Sequence, residues 1–360
     1  MSEIRLKMPR GTLAQMAETL RRLESAVFGK KASRIDSQSR PKFDTLTLHT
    51  KDIENLALNV KFFGYELARQ LADTLPVRNG LTASHIGLTC KPSTQHDIAS
   101  DWVAFWCAEL KIPLVFHRKL WELAYVLQAI HENGLLRAGM RGLGFGCGQE
   151  PLPSYFASHN VSIMMTDLPP DDRASFGWAA TGQHAATLER GFQTHLVERA
   201  QFERHVSLRH VDMNEIPSDL RDYDFCWSIC ALEHLGSIEK GLAFIENAME
   251  TLRPGGLAVH TTEFNFLNDE ETIDNWPTVL FQRKHFVEIA ARLRDRGHKV
   301  AELDFDVGHE PLDKFIDIPP FAFSWNENMR QTWGLRSDHI KVSVDGFAST
   351  CFGIIAVKGG

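Results

Sequence analysis

The sequence predicts an α/β fold: a mostly parallel sheet flanked by helices, with a helical extension in front of it. Three observations predict it. From residue 138 onward, short apolar runs alternate with helical stretches, the pattern of strands joined by crossover helices. The first of those runs, RGLGFGCGQEPL, carries glycine at every second position: Gly142, Gly144, Gly146 and Gly148. The second and third runs end in an acid, Asp167 and Asp212.

The elements follow in order. Residues 12–28 place Leu13, Met16, Leu20, Leu23 and Val27 on one helical face. GKKASRIDSQSRPK then reads as a flexible link. Further helices are expected over 52–75, where Pro76 and Gly80 stop the pattern, and over 97–110 and 118–133. Residues 1–135 are thus expected to form a helical extension or lid, and residues 136–360 the domain that holds the sheet. MRGLGFG, VSIMMTD, VSLRHVD, DFCWSIC and LAVHTTEF are its first five strands. Between the fourth and fifth, Ser237 caps a helix whose Ile238, Leu242, Ile245, Met249 and Leu252 share a face, and RPGG ends it. A helix over 284–296, the strand HKVAELDF and an irregular insertion over 309–338 come next. HIKVSVDG and STCFGIIAVKG close the chain, and the last strands are expected to pair as an antiparallel edge. The insertion is too long for a simple hairpin, and a loop of that length suits a lid.

Composition narrows the class. The chain has 360 residues, 43% of them hydrophobic and 24% charged, which suits a globular protein and leaves room for one large domain with additions. No apolar run reaches membrane-spanning length and no secretory leader is visible, so a cytoplasmic protein without integral membrane association is expected. The six cysteines form no CxxC pair and are expected to be free thiols, with Cys226 and Cys230 as small core residues of one strand. Residues 1–42 hold ten Lys/Arg and four Asp/Glu, a charge of +6, which leaves −13 for the remainder of a chain whose net charge is −7. An acidic body of that kind argues against nucleic acid as a partner. No HxxxH spacing occurs, and no metal is expected.

A strand, a glycine-rich turn and a helix make a ligand site at the carboxyl end of a parallel sheet. Pro151 suits the first helical turn and puts Glu150 near the N-cap. The loop never gives GxGxxG, which disfavours a nicotinamide dinucleotide, and GxxxxGK[ST] is absent. What remains is a glycine loop followed nineteen residues past Gly148 by Asp167, an acid placed to accept from two ribose hydroxyls. Asp212 is placed to accept from an adenine amino group, with Met213 against the ring. Two such acids in that order point to an adenosine ligand.

At this point the chain resembles the class I S-adenosylmethionine-dependent methyltransferases. GLGFGCG, the acidic end of MMTDL, VDMNEIP and the block DYDFCWSICALEHLGSIEKGLAFIENAMETLRPGGLAV carry the resemblance. It covers roughly residues 136–305 and the C-terminal strand. It implies a Rossmann-like seven-stranded mostly parallel sheet, the class I methyltransferase fold, and S-adenosyl-L-methionine as cofactor. Cofactor contacts are expected from Gly144, Gly146, Gly148, Glu150, Asp167, Leu168, Asp212, Met213 and Ile229. Two positions depart from the family pattern. Gly144 stands where the family has an acid, and Glu150 stands where it has a third loop glycine. Glu150 is therefore expected to meet the cofactor's ammonium.

Methyl transfer is an in-line displacement, so alignment supplies most of the rate, and a hydroxyl acceptor also needs a base. Such groups belong at the carboxyl ends of strands four and five. His234 is the expected base because its ordinary pKa lies near neutrality, with Glu233 and Glu263 orienting acceptor hydroxyls. The aromatic and polar mixture of His117, Arg118 and Trp121, with Gln183, His184 and Asn265, is expected to line the acceptor site. Trp121 equally suits a helix core, and LEH equally suits a helix cap. The expected acceptor is a small polar molecule, first a sugar hydroxyl or glycan end as in polysaccharide biosynthesis. An amine or a secondary-metabolite hydroxyl is a second reading, and a non-catalytic cofactor-binding module that regulates a partner is a third. A homodimer through the N-terminal helices is also open.

Overall fold

In the computed structural model the described residues are 38, 40, 52–169, 187–319, 321, 331 and 338–360. The helix expected over 12–28, the residues Gln183 and His184, and most of 320–337 lie outside them. Two units divide after Val60: Met1–Val60 and Lys61–Gly360. Helix α1 (Ile53–Thr74) runs across that division. The second unit then carries α2 (Gln95–Ile98), α3 (Asp101–Glu109) and α4 (Arg118–Glu132) before the sheet begins.

The strands are β1 (Arg141–Phe145), β2 (Ser162–Asp167), β3 (Val206–His210), β4 (Tyr223–Ile229), β5 (Leu252–Asn265), β6 (Lys299–Val300), β7 (Ile316–Asp317), β8 (Lys341–Val344) and β9 (Phe347–Val357). The connecting helices are α5 (Leu152–Ser158), α6 (Arg199–His205), α7 (Ile238–Glu250) and α8 (Arg283–Asp295). The sheet runs β3-β2-β1-β4-β5-β9-β8-β7, with β6 also paired to β9. The first five strands are parallel and β9 is antiparallel to β5. Central parallel strands are covered on both faces, and β4 (YDFCWSI) accordingly reads as one continuous apolar run. α7 has the expected cap, with Ser237 accepting from the Lys240 N–H at 3.2 Å.

Two features depart from the expected boundaries. The unit from Lys61 to Gly360 holds the sheet, and residues 90–93 of it are built into that sheet. Lys91 and Gly353 exchange backbone hydrogen bonds at 3.1 and 2.8 Å, and Ser93 N–H donates to the Cys351 carbonyl at 2.8 Å. α4 packs against β5 and β9, burying Leu120, Trp121, Ala124, Tyr125 and Leu127. Each large side chain removed from water there contributes about 1.5–3 kcal/mol. The strand expected over HKVAELDF shrinks to two residues for the same reason: Cys90 pairs with Glu302 and Asp304 where β6 would continue. β6 takes the C-terminal end of β9 and β8 its N-terminal end, so both closing pairs are antiparallel.

Candidate active site

The carboxyl ends of the parallel strands carry Gly146 and Gly148 after β1, Asp167 at the end of β2, Asp212 and Met213 after β3, Glu233 and His234 after β4, and Glu263 and Asn265 at the end of β5. The glycines divide into two pairs with different causes. A Cβ on Gly142 would meet Phe225 and Ile163 side-chain atoms at 2.5 and 2.7 Å, and one on Gly144 would meet Cys147 Sγ at 2.3 Å and Trp227 at 2.4 Å. These two are glycines because aromatic rings of the neighbouring strand β4 lie over them. Packing alone therefore requires glycine at 144. Gly146 and Gly148 hold φ of 61° and 51°, the left-handed region that a turn away from the strand requires. A Cβ on Gly146 would also come within 2.8 Å of Ala231.

Asp167 anchors the loop. Its carboxylate accepts from the Gly148 and Leu168 N–H groups at 3.2 and 2.8 Å. Asp212 accepts from the backbone and side chain of Asn214 at 2.8 and 3.1 Å, holding the turn in which Met213 is buried. Glu150 accepts from the Trp227 indole N–H at 2.9 Å, and burial pushes its carboxyl up to about 8. Ile229 ends β4, and the next residue, Cys230, takes φ 42°, an uncommon conformation for a side-chain-bearing residue that re-aims the chain at the strand end. Cys230 thus leaves the strand that still contains Cys226.

On the acceptor side, several residues prove to hold one another. Arg118 forms an ion pair with Glu263, whose other oxygen accepts from Ser349 Oγ at 2.6 Å. Burial alone would push Glu263 up, but Arg118 and Lys119 hold it below the ordinary carboxylate range. Each oxygen has a partner, and through one of them Glu263 holds Arg118. Trp121 is fully buried, donates to Asp97 at 2.9 Å and stacks on Tyr125, so it belongs to the core of α4 and not to the acceptor surface. Asn265, also fully buried, donates to the Glu271 carbonyl and accepts from Asn268 N–H, and so organises the loop after β5. His117 caps α4 by accepting from the Lys119 N–H at 3.0 Å, and its ring lies 4.7 Å from that of His339.

Glu233 and His234 sit in the single helical turn Leu232–His234 after β4. Glu233 is 1% exposed; its Oε2 accepts from Thr262 at 3.0 Å, while Oε1 has no hydrogen-bond partner and lies 3.8 Å from His234 Nε2. Burial first, and then the Glu263 charge, push its carboxyl up to about 8. Burial pushes the His234 imidazole down to about 4. His234 Nδ1 lies 2.9 Å from the Pro277 carbonyl, which assigns the proton of the neutral ring to Nδ1. Burial thus moves His234 below the ordinary imidazole range on which its expected role as base was argued.

Five further groups join the cluster. Glu122 accepts from Thr261 Oγ1 at 2.5 Å and from the Cys351 thiol at 2.8 Å, with Lys119 Nζ 3.2 Å away. Cys351 Sγ lies 3.6 Å from Cys230 Sγ. No spacing in the sequence joins Glu122, Cys230 and Cys351; the only local hint is the Lys119–Glu122 step on one helical face.

The sheet order and flanking helices are those of the Rossmann-like class I S-adenosylmethionine-dependent methyltransferase fold. A family model described as a methyltransferase domain matches residues 118–303, and the chain belongs to that family. S-adenosylmethionine is its cofactor, and the protein is an enzyme. No curated protein matches the sequence. Solved structures similar to it include a candidate methyltransferase from Bacillus halodurans C-125, 15% identical, covering 65% of this chain and 99% of that one with a TM-score of 0.38. A SAM-dependent methyltransferase from Aquifex aeolicus is 15% identical over 64% of this chain and 88% of its own, with a TM-score of 0.32. One from Mesorhizobium loti is 12% identical over 64% and 96%, with a TM-score of 0.35. Among the described residues no helix is long and apolar enough to cross a membrane.

Proposed function

We propose that the enzyme methylates a hydroxyl of a small polar acceptor, a sugar or glycan end first among them, and that Glu233 takes the acceptor's proton. One observation carries the reading: a carboxylate buried at the end of β4 with an unpartnered oxygen and a pKa raised to about 8. A buried acceptor oxygen without a donor is costly in a finished core, but it is what an incoming hydroxyl would satisfy. A raised pKa makes the ionised form a stronger base than an ordinary carboxylate. His234, neutral and held by Pro277, lies beside that oxygen at 3.8 Å.

When bound, the cofactor supplies an electrophilic methyl on a sulfonium. Asp167 and Leu168 are proposed to hold its ribose, Asp212 and Met213 its adenine, and Glu150 its ammonium, with Gly146, Gly148 and Ile229 leaving room for the chain between. Arg118, fixed by Glu263, and His117 border the acceptor side, and these polar groups favour a hydrophilic acceptor over an apolar one.

Calorimetry with S-adenosylhomocysteine beside NAD tests the cofactor site. Micromolar binding of the former alone is expected; binding of neither would bring the non-catalytic reading forward. A labelled-methyl assay over sugars, amines and phenolic hydroxyls then tests the acceptor. Transfer to amines alone would replace the hydroxyl reading.

A further inference from the structure

Two cysteines far apart in sequence meet at the strand ends, with their sulfurs 3.6 Å apart. Donor atoms of Glu122, Cys230 and Cys351 all lie within 4.8 Å of one another, and so do those of Cys230, Glu233 and Glu263, so Cys230 is common to both groups. A tetrahedral zinc with zinc–sulfur bonds of about 2.3 Å spans two sulfurs roughly 3.7 Å apart. The pair already stands at that separation. A core made only of packed thiols would not also contain a buried carboxylate oxygen without a partner, yet Glu233 Oε1 is such an atom beside them.

We propose that Cys230, Cys351 and Glu122 hold a thiophilic divalent cation of the zinc type, with a fourth position facing Glu233. Two sulfurs and one carboxylate select zinc over magnesium or calcium, which want oxygen alone. Binding forms two metal–sulfur bonds and one metal–oxygen bond; the two thiol protons leave to solvent, and no electrons move. Two thiolates and one carboxylate leave a net negative charge around a dication. Arg118, with Nη1 3.4 Å from Cys351 Sγ, and Lys119, 3.2 Å from Glu122, offset it. Thr261, donating to the second oxygen of Glu122, orients that ligand as outer groups do in metal sites. The backbone of Cys230 is pinned by its N–H, which donates to the Thr261 carbonyl at 3.0 Å. The site stands on these contacts alone; its role, raising the acidity of an acceptor hydroxyl opposite Glu233, rests on the O-methylation reading.

The test uses the full, untagged, reduced chain titrated with cobalt(II). One cobalt per chain is expected, with a thiolate-to-cobalt charge-transfer band in the near ultraviolet. The band should survive Cys226→Ser, a buried cysteine outside the cluster, and vanish in Cys351→Ser and in Cys230→Ser. Glu122→Gln should weaken cobalt affinity by about tenfold or more with the circular dichroism unchanged, which covers the case of a cysteine variant that fails to fold. A folded wild-type chain without the band, or a band that persists in the Cys230→Ser/Cys351→Ser double variant, overturns the proposal. S-adenosylhomocysteine calorimetry on the same sample separates the two readings: binding without a band removes the cation site and keeps the methyltransferase site, and a band without binding does the reverse.

Discussion

Glu233 and His234 are sequence neighbours, yet burial moves them in opposite senses, the carboxyl up to about 8 and the imidazole down to about 4. Removal from water penalises the charged form of each, so the acid holds its proton more tightly and the base less. Around neutrality the carboxyl keeps its proton and the imidazole carries only one. For a base the ionised carboxylate is the active form. Turnover is therefore expected to rise with pH through about 8 and level off above it. A kcat profile that is flat from pH 6 to 9 would exclude Glu233 as the group that titrates. Glu233→Gln keeps the shape of the side chain and its partnership with Thr262 but removes the base. It should lower kcat by about 10²–10⁴-fold while S-adenosylhomocysteine affinity stays within about twofold. His234→Ala should cost less, because it removes a positioning group. If His234→Ala proves as damaging as Glu233→Gln and abolishes the alkaline limb, the two roles are reversed.

Among the elements, the glycine strand shows how much a sequence reveals and where it stops. Alternation and capping by Ser237 are local signals, and β1 to β5 and α7 form where those signals lie; α7 ends at Glu250, before RPGG, and Leu252, expected on its apolar face, opens β5, which takes in RPGG. The glycine loop and Asp167 were legible because a strand, a turn and an acid have a fixed order along the chain. The reason for Gly142 and Gly144 was not legible, because Phe225 and Trp227 stand more than eighty residues away. Pairing between strands decides it: Gly142 registers with Phe225 and Gly144 with Trp227. Glu122, Cys230 and Cys351 were missed for the same reason, since three elements must fold before their side chains meet. Lys91 to Ser93 carried no strand pattern, because they pair with β9 through backbone groups that composition does not encode. The glycine reading has a direct consequence. Gly144→Ala should destabilise the fold by about 1–3 kcal/mol through overpacking against Trp227 and Cys147. Urea unfolding would read it as a lower midpoint with an unchanged slope. An unchanged midpoint with weakened S-adenosylhomocysteine binding would place Gly144 among the cofactor contacts.

For the whole molecule, the uneven charge and the early apolar spacing bear on assembly. Residues 1–42 carry +6 against −13 for the rest. Leu13, Met16, Leu20, Leu23 and Val27 repeat at intervals of three and four, the spacing of a helix seam that pairs with a copy of itself. The described groups of the candidate site, from Arg118 to Cys351, all belong to the unit that begins at Lys61. Assembly and cofactor binding should therefore separate cleanly on truncation. Light scattering is expected to give a dimer for residues 1–360 and a monomer for residues 43–360. Calorimetry on the same two proteins should give the same S-adenosylhomocysteine affinity within about twofold. A monomer in both cases sinks the pairing. A shorter chain that scatters as a monomer but loses the ligand would instead tie the basic segment to the site itself, where its positive charge would favour an acceptor bearing phosphate or carboxylate. Adding salt then distinguishes the two, because attraction across solvent weakens with ionic strength while a packed apolar seam holds.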